Sequence, residues 1–351
     1  MLPMHIQENV LLAPMTTFNI GGPARYFVEA ENIDNVCRAV EYTESRSLPL
    51  FVLGGGSNLV ISDSGWPGLV LKIAIKGFDR RSQSGKTLFE VGAGDDWDNF
   101  VFRAVSSNCA GVECMSGIPG SVGATPVQNV GAYGQEVGET IDSVQVFDLK
   151  IKRVRELCNE ACGFSYRTSI FNTSERDRFI ILRVTYALEP GGAARIEYAD
   201  LKKYFAGRNR RPSLAETREA VRQIRASKAM LITPGDEDCF SAGSFFKNPV
   251  LSREQFADLT QRAAAHSLDV PTYPALEAQR KVSAAWLVER SGFHKGYIQG
   301  HVGISHKHAL AIVNRGGATA ADVLALKEKI QQRVEEIWGI RLEPEPMFVG
   351  F

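Results

Sequence analysis

Hydrophobic and polar residues follow two different periods along the chain, and these predict both strands and helices. In the first half, short hydrophobic runs end at glycines, as where residues 48–53 (LPLFVL) lead directly into Gly54–Gly56. Such runs, bounded by turn residues, are typical of strands, and residues 88–94 and the segments SVQVFDL and FIILRVTYAL fit the same pattern. Over 95–107, apolar side chains recur every three or four residues, which predicts a helix.

The second half carries stronger helix signals. Ser213 followed by Glu216 forms a capping-box pattern, which predicts a helix to about residue 229. Ser252 and Gln255 repeat the pattern and predict a second helix. Residues 283–292 predict a short helix that ends at a glycine.

A longer amphipathic helix is predicted near the C-terminus, followed by an extended segment. Its apolar positions step by three and four residues, and Gly339 lies just past its end: Val323, Leu326, Ile330, Val334 and Ile337. The whole pattern predicts an α+β half with glycine loops and then a smaller, helix-rich α/β domain, with the boundary near 205–215.

Composition narrows the possible classes of protein. The 351 residues suggest two or three domains, and 44% hydrophobic with 23% charged residues exclude a disordered or fibrous chain. Forty basic residues balance forty acidic ones, which argues against nucleic acid as the main partner.

The N-terminal segment and the cysteines predict a location. The first fifteen residues have neither a basic nor an apolar region typical of a secretory signal, and no apolar run approaches the length of a membrane span. Six cysteines spread thinly through a long chain are typical of free thiols. We therefore expect a cytoplasmic protein.

Two glycine-rich segments carry the candidate chemistry. Gly54–Gly56 with Ser57 and Asn58 follow a predicted strand, and residues 117–134 contain five glycines in 18 positions. Glycines let the backbone turn its N–H groups toward an anion, so these loops favour a pyrophosphate, with a tight turn between strands as the alternative.

Standard nucleotide-binding patterns are excluded by spacing. In GAGDDW, Trp97 stands where the dinucleotide fingerprint needs its third glycine, and the P-loop pattern ending at Thr87 lacks its first glycine. No G-x-S-x-G segment of a hydrolase occurs. The loops therefore favour a dinucleotide such as FAD held by another fold.

The sequence predicts no metal site. Cys158 and Cys162 lack a second cysteine or histidine pair, and His301, His306 and His308 lack a nearby carboxylate or thiol in the sequence. We expect His308 to have a structural role.

Six segments, in order, resemble the UDP-N-acetylenolpyruvoylglucosamine reductase (MurB) family of flavoenzymes. They span nearly the whole chain: TTFNIGGPARYF (16–27), LGGGSNLVISD (53–63), GIPGSVGATPVQNVGAYG (117–134), SYRTSIF (165–171), AGSFFKNP (242–249) and LEPE (342–345). The resemblance implies an α+β fold with an FAD-binding region of the vanillyl-alcohol-oxidase/PCMH type in two lobes, plus a C-terminal α/β substrate-binding domain. It implies four parts: lobe 1 (1–72), lobe 2 (73–210), a substrate-binding domain (211–340) and a C-terminal strand returning to the active site (341–351).

The resemblance also implies a reaction. Family members pass a hydride from NADPH to FAD and then to UDP-N-acetylglucosamine enolpyruvate, giving UDP-N-acetylmuramate for peptidoglycan. FAD is expected to be non-covalent, since neither glycine segment contains a histidine. The expected partners are small molecules, with no nucleic acid and no membrane, and the oligomeric state stays open with a monomer possible.

Residues matching the family motifs fall into three groups. The catalytic group is Ser244 as proton donor, with Arg167 and Glu345 at the enolpyruvyl carboxyl end. The cofactor-binding group is Gly54, Gly55, Gly56, Ser57, Asn58, Ile118, Pro119, Gly120, Ser121, Gly123, Ala124, Asn129 and Gly131. The substrate-binding group is Tyr198, which marks the tyrosine-loop subclass, with Lys228, Asn248 and Gln299.

These residue types suit the implied chemistry. Hydride addition to an enolpyruvate leaves an enolate-like carboxylate, to which a guanidinium can donate two hydrogen bonds. A positioned hydroxyl can then supply one proton. Pro344 and Pro346 hold the backbone on either side of Glu345 extended, which fixes where its side chain points.

Two alternative functions stay open from the sequence. A different flavin oxidase or dehydrogenase of the same fold would react rapidly with oxygen or bind its flavin covalently. A non-catalytic nucleotide-binding protein would be colourless, or would hold FAD that NADPH does not reduce.

Overall fold

The computed structural model describes residues 5–273 and 279–351. These residues form seven α-helices: α1 (Ile33–Ser45), α2 (Trp97–Ser106), α3 (Ala199–Tyr204), α4 (Leu214–Ser227), α5 (Arg253–Ala264), α6 (Ala284–Arg290) and α7 (Ala320–Trp338). They also form twenty strands: β1 (Gln7–Leu11), β2 (Pro23–Ala30), β3 (Leu50–Leu53), β4 (Leu59–Ile61), β5 (Trp66–Ile73), β6 (Phe78–Gln83), β7 (Lys86–Gly92), β8 (Cys109–Ala110), β9 (Gly131–Ala132), β10 (Gln135–Glu136), β11 (Ile141–Asp148), β12 (Arg153–Cys158), β13 (Phe179–Pro190), β14 (Val250–Leu251), β15 (Thr272–Tyr273), β16 (Arg280–Val282), β17 (Ile298–Gln299), β18 (Val302–Ile304), β19 (Ile312–Asn314) and β20 (Met347–Val349). No helix in this part of the chain is both long and apolar enough to cross a membrane.

The helices predicted from the sequence are confirmed. The capping boxes at Ser213 and Ser252 both form, with reciprocal hydrogen bonds at the starts of α4 and α5. Asp96 caps α2, and Gly339 ends α7 in the left-handed conformation at φ 70°.

The chain divides into two compact units that alternate along the sequence. Unit 1 contains the segment up to Val10 with residues 24–56 and 66–231, and unit 2 contains residues 11–23, 57–65 and 232–351. The division assigns helix α4 to unit 1, whereas the sequence analysis begins the substrate domain at residue 211. The predicted four-part division stays a prediction.

Unit 1 contains two larger sheets and the small antiparallel pair of β9 and β10. In the first, with strand order β1-β2-β5-β3, strands β2 and β3 pair in parallel with β5, and helix α1 connects β2 to β3. The loop at Gly54–Gly56 therefore lies at the carboxyl end of a parallel strand, where α/β sheets commonly bind ligands. The second sheet is antiparallel, with order β12-β11-β13-β7-β6, and β8 pairs with the end of β13.

An aromatic cluster anchors the core of unit 1. Trp97 and Phe100 on α2 pack against the fully buried Tyr186 of β13, and the rings of Phe100 and Tyr186 stack with centroids 4.6 Å apart. The Trp97 indole donates to the carbonyl of Met115 at 3.0 Å. The cluster thereby fixes the segment that leads into the second glycine loop.

Unit 2 packs helices against three small sheets. Strands β14-β16-β15 and β17-β18-β19 form antiparallel sheets, while the last strand, β20, pairs in parallel with β4. The apolar face of α7 is buried along its length, ending at Trp338, which packs 5.0 Å from the ring of Trp286. The pairing of β20 with β4 joins the last residues of the chain to the segment after the first glycine loop.

Candidate active site

The two glycine loops meet within unit 1. A Cβ added to Gly55 would lie 2.4 Å from the Cα of Gly120 and 2.5 Å from the nitrogen of Ser121, and one added to Gly54 would lie 3.0 Å from the Ser121 hydroxyl. Contacts this short exclude any side chain at Gly55. Glycine is therefore required at this position because it lets two backbones approach each other.

Backbone hydrogen bonds fix the second loop on the turn before α2. Trp97 N–H donates to the carbonyl of Gly120 at 3.0 Å, and Val122 N–H donates to that of Asp95 at 2.8 Å. A Cβ on Gly123 would lie 2.5 Å from a neighbouring alanine methyl, so this glycine also permits close packing.

The geometry of the loops fits an anionic cofactor. Among the described residues, no oxygen accepts a hydrogen bond from the backbone N–H groups of Gly55, Gly56, Gly120 or Ser121. Four such donors close together in one unit can bind a pyrophosphate, which carries the negative charge they need. The residues present therefore fit the pyrophosphate of FAD.

A partly buried ion cluster holds the start of the second loop. Asp98 accepts from the N–H of Gly117 at 2.6 Å, from both terminal nitrogens of Arg218 at 2.6 and 2.8 Å, and from Arg222 at 2.6 Å. Burial alone would raise the pKa of the Asp98 carboxyl, but the hydrogen bonds from Arg218 and Gly117 outweigh it and lower the pKa. This cluster was not predictable from the sequence, because Asp98 and its arginine partners lie about 120 residues apart.

Arg167 lies at the tip of a tight turn in unit 1. Its backbone adopts the left-handed conformation at φ 58°, which is uncommon for a residue with a side chain. The turn is closed by paired hydrogen bonds between Ser165 and Thr168, and the Arg167 guanidinium donates to the carbonyl of Gly131 at 2.9 Å. Two predicted site residues, Arg167 and Gly131, are therefore in contact.

Asn129 braces the same region. It is buried, and its side-chain amide donates to Glu136 at 2.8 Å and to the carbonyl of Ser165 at 3.0 Å, while its oxygen accepts from the N–H of Gly138 at 2.8 Å. These bonds tie the second glycine loop to the Arg167 turn. A cofactor contact by Asn129 stays a prediction.

The segments that carry Ser244 and Glu345 lie side by side in unit 2. Glu345 N–H donates to the carbonyl of Phe245 at 2.9 Å, and Lys247 N–H donates to that of Glu343 at 2.9 Å. Phe245 is fully buried and anchors the segment, while Gly243 supplies a positive φ of 73° directly before the serine. The structure therefore brings together two of the three predicted catalytic positions, which are about 100 residues apart in the sequence.

Tyr198 and Lys228 meet at a third residue, Tyr133, in unit 1. The rings of Tyr198 and Tyr133 lie edge to face, 5.4 Å apart, and the Lys228 ammonium is 5.9 Å from the Tyr133 ring. Lys228 also forms an ion pair with Asp200 at 2.6 Å. Burial raises the pKa of Tyr133 to about 12, so its phenol stays neutral at physiological pH.

Neither Tyr133 nor Asp200 is among the site residues predicted from the sequence. A signal existed for the first, which lies inside the quoted segment 117–134. None existed for Asp200, whose acidic side chain is ordinary at the start of a helix.

The remaining predicted substrate residues make local contacts in unit 2. The Asn248 side-chain oxygen accepts from the N–H of Ala284 at 2.9 Å, at the start of α6. Gln299 accepts from the Lys329 ammonium at 3.1 Å, and Lys329 also donates to the hydroxyl of Tyr297 at 2.8 Å. The roles of Asn248 and Gln299 in substrate binding stay predictions.

The histidines have hydrogen-bond partners. His301 pairs with the carbonyl of Gly316 at 2.8 Å, and a nitrogen of His308 accepts a long hydrogen bond from Leu310 N–H at 3.5 Å. The structural role expected of His308 stays a prediction. Within residues 5–273 and 279–351, no group of three histidine, cysteine or acidic side chains could hold a metal ion.

Comparison with known proteins agrees with this geometry. Residues 24–152 match the FAD binding domain family, and residues 235–349 match the family described as UDP-N-acetylenolpyruvoylglucosamine reductase, C-terminal domain. The first match includes both glycine loops, and the second includes Ser244 and Glu345.

Relatives that carry the name of the second family match this chain over almost their entire length. Proteins called UDP-N-acetylenolpyruvoylglucosamine reductase are 44% identical in Thermobifida fusca, covering 98% of both chains, and 40% identical in Mycobacterium tuberculosis, covering 99% of this chain and 96% of the relative. The crystal structure of the MurB reductase from Thermus caldophilus covers 99% of this chain and all of its own, with a TM-score of 0.68 at 27% identity. Two family models, relatives of 40% and 44% identity over almost their full length, and a matching solved fold agree, so the chain belongs to the UDP-N-acetylenolpyruvoylglucosamine reductase family.

Proposed function

We propose that Ser244, Arg167 and Glu345 perform the reaction of this family in this chain, with Ser244 as proton donor. As a member of the family, the protein is an FAD-dependent oxidoreductase that uses NADPH to reduce UDP-N-acetylglucosamine enolpyruvate to UDP-N-acetylmuramate in peptidoglycan synthesis. The observation that supports the residue assignment is the hydrogen bond from Glu345 N–H to the carbonyl of Phe245, which sets the two catalytic segments beside each other.

The glycine loops would hold the cofactor. Bound FAD supplies hydride transfer from NADPH to the β-carbon of the enolpyruvyl group. We assign the pyrophosphate to the N–H groups of Gly55, Gly56, Gly120 and Ser121, because hydrogen bonds to an anion are stronger than those to neutral acceptors.

Arg167 would bind the substrate carboxylate. When hydride reaches the β-carbon, negative charge spreads into this carboxylate, and a fixed guanidinium stabilises the developing charge. The turn between Ser165 and Thr168 and the bond to Gly131 fix the arginine before substrate binds. Such a preorganised donor contributes on the order of 3 kcal/mol.

Ser244 would deliver the proton that completes the reduction. Its hydroxyl protonates the α-carbon of the substrate's enolate form, and the resulting alkoxide regains a proton from solvent. Serine is a weak acid in water, so the strongly basic enolate must drive the transfer. Glu345, held beside this segment, would orient the carboxyl end of the substrate together with Arg167.

Four residues would hold the rest of the substrate. Lys228 would pair with the diphosphate and Tyr198 would cover it, which is supported by their common contact with Tyr133. Asn248 and Gln299 would add polar contacts.

We also propose a cytoplasmic location with small molecules as the only obligatory partners. All six cysteines are free thiols in the structure, as expected for a reducing compartment. The balanced charge gives no reason to expect nucleic acid.

Half-reaction kinetics with Ser244→Ala test the assignment. In an anaerobic stopped-flow experiment, NADPH should bleach the flavin of the variant at the wild-type rate, while reoxidation by the enolpyruvyl substrate slows by about 10²–10⁴-fold. Ser45→Ala, which removes an exposed serine at the end of α1, is the matched control and should leave both rates unchanged. Normal reoxidation of Ser244→Ala would show that the proton comes from another group.

The visible spectrum of the purified protein tests the function itself. A yellow protein bleached by anaerobic NADPH and recoloured by the enolpyruvyl substrate is the expected result, with ping-pong steady-state kinetics. A colourless preparation, or flavin that NADPH does not reduce, favours a non-catalytic nucleotide-binding protein. Rapid recolouring by oxygen with an alcohol substrate favours a flavin oxidase.

A further inference from the structure

Two residues outside the catalytic group connect the catalytic segments of unit 2. These residues are Thr17, in the TTFNIGG segment, and Asn58, directly after Ser57 in the first glycine loop. Neither is adjacent in sequence to Ser244 or Glu345, yet both make hydrogen bonds to the segments that carry them.

Asn58 holds the Glu345 segment through both its backbone and its side chain. Its carbonyl accepts from the N–H of Met347 at 2.9 Å, and its side-chain amide donates to the carbonyl of Glu345 at 3.1 Å. The parallel pairing of β4 with β20 continues this contact, beginning at Leu59 and Met347. Asn58 thus fixes the backbone on both sides of Pro346, and with it the direction of the Glu345 side chain.

Thr17 holds the turn before Ser244. Its hydroxyl donates to the carbonyl of Ser241 at 2.7 Å and makes a longer contact, 3.3 Å, with the carbonyl of Ser57. The Ser241 hydroxyl in turn accepts from the N–H of Gly243 at 3.2 Å, which shapes the turn that presents Ser244.

The contacts close into a ring. Thr17 bonds to Ser241, and the chain leads from there to Phe245, which bonds to Glu345. Glu345 bonds to Asn58, whose chain neighbour Ser57 contacts Thr17 again. A ring of hydrogen bonds fixes its members more firmly than an open chain, because no segment can shift without breaking a bond elsewhere.

We propose that Asn58 and Thr17 are positioning residues for Glu345 and Ser244, and that the Asn58 side chain serves this role rather than binding the flavin. The inference rests on the proposed function of Ser244 and Glu345. A displacement of about 1 Å at a reacting group can lower a rate by about 10²-fold, so losing either link has a measurable effect on the step that uses these residues.

The test compares the two half-reactions in Asn58→Asp, which keeps the shape of the side chain but turns its donor into an acceptor facing the Glu345 carbonyl. Flavin content and the rate of bleaching by NADPH should stay within about twofold of wild type, while reoxidation by the enolpyruvyl substrate slows by roughly 10–100-fold. Loss of flavin, slower bleaching, or unchanged reoxidation would each overturn the assignment of Asn58.

Thr17 offers a matched pair of variants. Thr17→Val removes the hydroxyl at nearly constant shape and should slow reoxidation at least about fivefold, the effect of one hydrogen bond of typical strength. Thr17→Ser restores the hydroxyl and should recover reoxidation to within about twofold. Equal rates for the two variants would contradict the role of the hydroxyl. Thr260→Val, on the exposed face of α5, controls for the general effect of the substitution.

Ser244→Ala, measured in the same series, separates this inference from the proposed function. Normal reoxidation of Ser244→Ala defeats the proposed function whatever the other variants show. Slow reoxidation of Ser244→Ala with normal Asn58→Asp and Thr17→Val defeats the positioning roles alone.

Discussion

Replacing Asp98 by asparagine tests whether a partly buried ion cluster supports the second glycine loop. The carboxylate accepts four hydrogen bonds, three from Arg218 and Arg222 on α4 and one from Gly117 N–H. Asparagine keeps the shape but removes the charge, so two arginines lose their counter-ion. Asp98→Asn is therefore a charge deletion within a nearly constant volume.

The structure sets the expected size of the effect. Breaking a fully buried ion pair costs about 3–5 kcal/mol, and exposed pairs contribute about 0–1 kcal/mol. Here the Arg218 side chain is 13% exposed, that of Asp98 23% and that of Arg222 35%. The cluster lies nearer the buried limit, so Asp98→Asn should lower the free energy of unfolding by about 2–3 kcal/mol.

The pH dependence gives a second, independent signature. Because the folded protein holds the pKa of Asp98 below 3.8, its value without these contacts, the carboxylate stabilises the fold above pH 3.8, and this contribution is lost as the pH falls further. The difference in stability between wild type and Asp98→Asn should therefore be constant near neutral pH and decrease in acid.

Urea unfolding of the holoprotein at neutral and at acid pH, followed by flavin fluorescence, measures both the loss of stability and its pH dependence. The flavin should also bind more weakly to Asp98→Asn, because Gly117 begins the loop that includes Gly120 and Ser121. Asp34→Asn, which removes the charge of a carboxylate that is 56% exposed and pairs with Arg38, is the matched control and should change stability by less than about 0.5 kcal/mol. If Asp98→Asn is as stable as this control, the cluster does not support the loop as described.

Three further predictions concern other parts of unit 1. Asp148→Asn should lower the free energy of unfolding by about 2 kcal/mol in urea titrations, because hydrogen bonds from Arg178 lower the pKa of Asp148 from 3.8 to about 2. The difference in stability between wild type and Asp148→Asn should be complete above pH 3.8 and vanish as the pH falls through 2. A difference that does not depend on pH would argue against this cause. Gly55→Ala should weaken FAD binding at least about tenfold in equilibrium titration, since its methyl group would meet backbone of the second loop at 2.4 Å, and unchanged affinity would mean that the loops can separate freely. Asp200→Asn should lower the KM for the enolpyruvyl substrate by about two- to fivefold without changing kcat, because the substrate diphosphate would no longer compete with Asp200 for Lys228. A higher KM would instead indicate that Asp200 holds the lysine in position for the substrate.

Local elements were largely predictable because their signals are local. A capping box needs only a serine and an acid or amide three residues later, and those at Ser213 and Ser252 form as predicted. The glycine that ends α7 follows the same logic, since only the left-handed conformation of Gly339 is needed to stop the helix.

The assignment of chain segments to the two units was not predictable in the same way. Residues 11–23 and 57–65 belong to unit 2, although most of the chain around them belongs to unit 1. No period or cap reports this, because the choice between possible partners depends on contacts between residues distant in sequence.

The candidate site shows the same contrast. Motifs indicated the glycine loops and the candidate catalytic positions one by one. They did not indicate that Gly55 would meet the backbone of the second loop. They carried no sign that Asp98 would hold Gly117 or that Asp200 would hold Lys228. Ion pairs of this kind form between ordinary surface residue types, so only the fold distinguishes them from solvated charges.

The sequence by itself determined the elements, the family and the residue types available for chemistry, because periodicity, capping and motif spacing are properties of neighbouring residues. Tertiary structure alone decided which of these residues come into contact. Asn58 and Glu345 are 287 positions apart, and they meet because β20 pairs with β4 rather than with any nearer strand. Such pairing is set by the summed burial and hydrogen bonding of a whole unit, which no short stretch of sequence contains.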